Sequence, residues 1–194
     1  MKFVRTALSA AMLASTTSMA FADQTDIYLF LNSETTKTEI DGLSVRLDSE
    51  LIDQDMTERD FMRRPRVSLT CRDDGRQLMH VSVAEDLDPW PAIAESADLE
   101  TDATLKSQSG SFEELKTRVK AYRVSALLTL AIDVTGRAEA IARTWYEGMP
   151  IQMASSPTNG LKDLNLILFP DAPNQRLRDE LAAVIKGCSL VSVR

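Results

Sequence analysis

Arg66-Val67-Ser68-Leu69-Thr70-Cys71-Arg72-Asp73-Asp74-Gly75-Arg76-Gln77-Leu78-Met79-His80-Val81-Ser82-Val83 decides the reading of this chain. Two runs of alternating apolar and polar residues flank a turn, which is the pattern of a half-buried hairpin. Two turn geometries compete. A two-residue Asp-Gly loop sets Leu69 opposite His80 and Cys71 opposite Leu78. A three-residue loop, with Gly75 left-handed as a bulge, pairs Arg72 with Arg76. Leu69 then faces Met79, and Val67 faces Val81. A slip of one residue turns every side chain to the other face, so the register with the cleaner face is preferred. The bulged loop gathers Val67, Leu69, Cys71, Met79, Val81 and Val83 on one side and sends Ser68, Thr70, His80 and Ser82 to the other.

The apolar face needs a cover, and the end of the chain supplies one. Leu177, Leu181, Val184, Ile185 and Cys188 follow the spacing of one helical face. Asp171 or Asn174 can cap its start, and Gly187 stands where a C-terminal cap would, with Cys188 just past the helix end. A helix laid on the Cys71 face brings Cys188 to it, which favours one disulfide over two separate buried thiols. Closing a loop of 117 residues is worth about 4–5 kcal/mol on the chain-entropy model.

Between these elements the chain reads as strands with one further helix. Ile27 to Leu31 is a short apolar run, and Asn32 to Asp41 reads as a loop. Leu43, Val45 and Leu47 alternate with polar residues as a strand does. Asp53 to Arg64 suggests a turn or two of helix, stopped by Pro65. Glu85 to Gly110 is a polar, acidic connection containing Pro89-Trp90-Pro91, and Phe112 to Lys116 suggests a helix. Val119 to Val124 and Leu127 to Val134 have strand composition. Arg137 to Glu147 is an Ala-rich helix ended by Gly148, and Ile151 to Ala154 and Leu164 to Phe169 are strands. The expected fold is α+β: a mostly antiparallel sheet packed against the C-terminal helix, with one disulfide and the helix at 137–147 as a second cover.

The N-terminus has the parts of a cleavable secretory signal. Lys2 and Arg5 precede an uncharged stretch from Ala7 to Ala20, and Ala20-Phe21-Ala22 offers small residues for cleavage. The stretch is too short, and too rich in Ser and Thr, for a bilayer core of about 30 Å. Residues 1–22 are therefore expected to leave, and 23–194 to form a single exported domain, periplasmic or secreted. Export also suits the even cysteine count. Losing Lys2 and Arg5 moves the net charge from −7 to −9, which repels phosphate backbones and argues against nucleic acid as a partner. No other stretch is long and apolar enough for a membrane helix.

No catalytic set stands out. The single histidine, His80, lies on the polar hairpin face without a nucleophile motif. One histidine and two distant cysteines do not make a zinc set, and Asp53-Gln54-Asp55 lacks the glycine and distal glutamate of a calcium loop. No glycine-rich loop is present to cradle a cofactor phosphate. Asp48, Glu50, Asp53, Asp55, Glu58 and Asp60 crowd beside Arg59, Arg63, Arg64 and Arg66, and paired carboxylates can hydrolyse glycosides; a solvated charged surface is the commoner meaning. Trp90 between two prolines is the best candidate for a partner contact, though covering one end of the core is the commoner role for such a residue.

The run from Arg64 to Gly75, continuing into a second strand, together with strand Leu164 to Phe169 and the helix leading to Cys188, resembles the VasI-like small exported proteins associated with type VI secretion. The resemblance covers roughly residues 64–84 and 136–190. It implies an exported accessory protein linked to secretion or the cell envelope. The functional expectation is thus a non-enzymatic periplasmic accessory or binding protein whose partner is a protein or envelope component. The alternatives are a small hydrolase using acidic residues and an inhibitor or immunity-like protein. Mass spectrometry of the exported chain should find its N-terminus at Asp23; an intact Met1 in the mature pool would overturn the cleavage site.

Overall fold

A computed structural model describes residues 25–53, 64–84, 99–107, 114–124, 127–155, 164–170 and 174–191. In chain order these form strands β1 (Thr25–Leu31), β2 (Lys37–Ile40), β3 (Ser44–Asp53), β4 (Arg66–Arg72), β5 (Gln77–Ala84), β6 (Leu99–Ser107), β7 (Leu115–Val124) and β8 (Leu127–Asp133). Helix α1 (Ala138–Tyr146), strands β9 (Ile151–Ser155) and β10 (Leu164–Pro170) and helix α2 (Gln175–Val191) follow. The central hairpin adopts the bulged register: Leu69 pairs with Met79 and Val67 with Val81. The Arg72 N–H donates to the Arg76 carbonyl at 3.0 Å, and Gly75 holds φ 81°.

The sheet closes on itself. Its order is β1-β10-β9-β6-β7-β8-β5-β4-β3, and β1 also pairs with β3, so nine strands form a barrel. β1 runs parallel to β10, with Thr25 beside Leu164; the other pairs are antiparallel. The expected α+β composition, the mostly antiparallel pairing and the C-terminal helix hold, but the sheet is a barrel rather than an open layer, and the helices pack at its end instead of over a face. Alternation has the same period in both forms, and what distinguishes them is the long-range pairing of β1.

Inward positions follow the two-residue period around the whole wall. Val45, Leu47 and Leu51 of β3, Val67, Leu69 and Cys71 of β4, Met79 and Val81 of β5 and Leu128, Leu130 and Ile132 of β8 are buried in one core. Eight strands make a barrel that wall side chains can just fill. Nine leave more room, and the two helices use it. They lie against each other at the end where β4 and β10 finish and β5 and β9 begin. Their apolar faces, among them Ile141, Trp145, Leu181 and Val184, join the same core.

Local bonds fix both helices. The Gln77 side chain, at the start of β5, accepts from the Ala138 N–H at 3.0 Å and so caps α1 from outside its own sequence. At the other end Gly148 takes φ 82°, and the Met149 N–H returns to the Thr144 carbonyl. Asn174 caps α2, accepting from the Leu177 N–H at 2.9 Å. Cys71 and Cys188 are joined, with Cα atoms 5.4 Å apart, inside the 4.4–6.8 Å range a disulfide requires.

Several local readings need correction. Gly187 is not a C-terminal cap, because α2 continues to Val191 and both Gly187 and Cys188 lie within it. A Cβ at Gly187 would meet the Val45 methyls at 2.6 and 2.8 Å, so the glycine serves a close approach of helix to strand. The loop expected at Asn32 to Asp41 holds β2, which pairs with the first half of β3. The chain turns between β1 and β2 on the Asn32 carbonyl, which accepts from the Thr36 N–H and hydroxyl, while Thr36 and Ser49 share a buried hydroxyl contact of 2.8 Å. The connection from Glu85 to Gly110 contains β6, in which Ala103, Leu105 and Ser107 are buried. The end of the suggested helix at Phe112 to Lys116 belongs to β7. The suggested helical turns at residues 54–63 lie outside the described residues.

Among the described residues no helix is long and apolar enough to cross a membrane. The disulfide ties α2 to β4 across 117 residues. Reduction, or Cys188→Ser, is expected to lower unfolding free energy by roughly 2–5 kcal/mol. Urea unfolding of the oxidised, reduced and substituted protein checks this; equal midpoints would show that packing alone holds α2.

Candidate functional site

The outward face of the hairpin is the floor of the main concave surface. Because β4 and β5 lie between β3 and β8, outward residues align in rows across the strands. One row runs Glu50, Arg66, Ser82, Thr129, Tyr122 through β3, β4, β5, β8 and β7. The next runs Asp48, Ser68, His80, Ala131. With Thr70, Arg46, Leu127 and residues of β2, these rows, Ala131 excepted, line a groove of about 700 Å³. Its floor is rich in hydroxyls. Ser82 and Thr129 share a hydrogen bond of 2.9 Å, and Ser68 and Thr129 are buried although they face away from the core.

The groove's charges are matched within it. Arg46 donates through Nε and Nη2 to the Asp48 carboxylate at 3.0 and 2.8 Å. Lys37 binds Glu39 at 2.6 Å. That bond raises the Lys37 pKa and lowers that of Glu39. Glu50 accepts from Arg64 at 2.9 Å and lies 3.5 Å from Arg66. Each carboxylate lining the groove is thus held by a cation. A glycosidase needs a carboxylic acid kept protonated by apolar surroundings beside a second, free carboxylate, and Asp48 and Glu50 are not so arranged. Asp53 contributes its backbone to β3, and Asp55, Glu58 and Asp60 lie outside the described residues.

His80 is half-buried at the centre of the floor. Burial pushes its pKa down, the positive charge of Arg46 adds to this, and Asp48 opposes it. The strand order places Ser68 between Asp48 and His80. A serine-hydrolase triad instead requires the histidine between acid and serine, so that the acid orients the ring. The order Asp48, Ser68, His80 is thus not that of a triad. No cluster of three or more His, Cys, Asp or Glu suited to a metal ion occurs among the described residues.

Of the residues singled out in the sequence, Cys71 and Cys188 are brought together as a structural bridge. Trp90 lies outside the described residues. The groove rows were partly legible: Ser68, Thr70, His80 and Ser82 share a face on the hairpin pattern alone. Thr129 and Tyr122 join them only through the β5–β8–β7 order, which local sequence does not carry. A comparison with protein-family models finds no match to this chain, and comparisons with curated proteins and with solved structures find none either.

The single histidine makes a clean titration possible. With its folded pKa below the ordinary value of about 6.5, the unfolded chain binds the proton more readily. The His80 contribution to stability is therefore fully present above about pH 6.5 and is lost as pH falls from there through the folded pKa. The imidazole NMR signals should titrate below about 6.5, and His80→Gln should remove this part of the acid destabilisation. A midpoint at or above the ordinary value would contradict the buried setting.

Proposed function

We propose that this protein is a non-enzymatic binding or accessory protein of the cell envelope, exported and disulfide-tied, with the hydroxyl-floored groove over β3, β4, β5 and β8 as its binding surface. The observation that carries this reading is the groove itself: a concavity of about 700 Å³ with hydroxyls on its floor, in which Asp48, Glu39 and Glu50 are each held by a cation. Such a surface offers many hydrogen bonds in a fixed arrangement and no activated nucleophile or poised acid. A closed barrel suits recognition because its strands hold these side chains rigidly. Export rests on the N-terminal pattern and agrees with a disulfide between buried cysteines. The resemblance of residues 64–84 and 136–190 to the VasI-like proteins supports an accessory role beside a secretion apparatus.

A photo-crosslinking residue placed at Thr70 or Tyr122 tests the site, with Glu100, exposed on β6 outside the groove, as the control. In intact cells the groove positions should form a defined adduct and the control should not. Equal patterns at all three positions, or none in the groove, would refute the assignment of this surface.

A further inference from the structure

We propose that the groove takes an uncharged polyhydroxylated chain, a neutral oligosaccharide, laid across the strands along the row from Arg66 to Tyr122. This deepens the binding reading above and rests on it. Three observations select the ligand class.

The first is charge. Cations and carboxylates line the groove in equal number, three of each, and they are bonded to one another. An anionic ligand would have to share these cations with the carboxylates already beside them. The chain's net charge of −7 opposes it further. A cationic ligand meets the same obstacle at the carboxylates. Half-buried His80 has its pKa pushed down by burial and adds no charge at neutral pH.

The second is the kind of hydrogen-bonding group. Ser82, Thr129 and Thr70 line the groove with hydroxyls; one of the Ser82–Thr129 pair spends its donor on the other, which leaves the second hydroxyl of the pair and Thr70 to donate and all three to accept. The Arg46–Asp48 pair presents donors and acceptors side by side. Sugar hydroxyls also donate and accept, so a ligand rich in them can satisfy such a surface without stranding a polar atom. At one end Tyr122 and Leu127 add an apolar side, against which the C–H face of a sugar ring can lie.

The third is shape. The row from Arg66 to Tyr122 crosses four adjacent strands, a span of about 14 Å at the usual strand spacing. That is long enough for several linked rings. A peptide cannot add to the floor strands, because β4, β5 and β8 each pair on both sides; β2, at the groove's rim, pairs only with β3.

Titration of the oxidised, mature protein with cellotetraose, chitotetraose and maltotetraose, followed by NMR, tests the inference. At least one of these neutral sugars should shift the amide signals of Ser82, Thr129 and Tyr122 and the His80 imidazole, saturably. A tetragalacturonate of the same length should shift them far less. The neutral complex should be insensitive to salt, since no counterions are displaced. Tyr122→Ala should weaken binding about tenfold, and the Ser82→Ala, Thr129→Val pair by a similar factor, on the scale of one or two lost hydrogen bonds. Tyr122→Phe should retain most of the affinity and guards against a folding defect. If no neutral sugar shifts these signals, or the acidic sugar binds as well, the inference is overturned. If the sugars fail while Thr70 and Tyr122 still crosslink a partner, the groove remains a binding surface for another class of ligand. If both fail, the site assignment falls as well.

Discussion

β1 has a partner on each side, and the rest of the architecture depends on this. Its pairing with β10 on one edge and β3 on the other turns a nine-stranded sheet into a barrel. Closure removes the open edges of the wall, so backbone N–H and C=O groups there find partners within the ring. It also gives the two faces of each strand opposite fates. Inward residues face one shared apolar core, and most outward residues make the surface. Helices α1 and α2 can then close only the end of the barrel, and their buried side chains are an extension of the wall's own core. The polar groove owes its fixed geometry to the same closure, because its floor is the outer side of strands whose inner side is packed.

What was legible in the sequence was local. The hairpin of β4 and β5 could be registered from its alternation and from Gly75, because a one-residue error would have put His80 on the face of Leu69 and sent Met79 and Val81 to the other. The face of α2 could be read from Leu177 to Cys188, and the disulfide followed from joining those two faces. What was not legible depends on partners far along the chain. β2 reads as loop because Lys37 and Glu39 are charged, and only pairing with β3 makes it a strand. β6 hides in an acidic segment because its buried residues are few and one is alanine. Barrel closure leaves no mark in periodicity, since a flat sheet and a curved one alternate alike.

The site divides along the same line. Ser68, Thr70, His80 and Ser82 could be placed on one face from the hairpin alone. Their meaning as a floor came from the neighbours on β3, β7 and β8, and the neutrality of the groove came from side-chain pairings such as Arg46 with Asp48. The dense acidic run reads in the linear sequence first as a solvated charged surface, with carboxylate catalysis as the rarer alternative. In three dimensions Asp48 and Glu50 face arginines, so the same residues build a balanced surface. The Gln77 cap on α1 was equally hidden, since it joins residues 61 positions apart.

Gly187 and Cys188 sit side by side on α2, and the residues they meet, Val45 and Cys71, sit side by side across β3 and β4. The helix is thus held by a covalent bond at one residue and by bare van der Waals contact at the next. The two holds are not independent. A side chain at 187 would push the helix off Val45, and the adjacent bond to Cys71 would resist the movement, so the strain would pass into β4. Relief requires a smaller residue at 45, because a valine in a strand has little freedom to turn aside. Related sequences, if they keep the bridge, are therefore constrained as a set of four: where position 187 gains a methyl, position 45 should shrink to match.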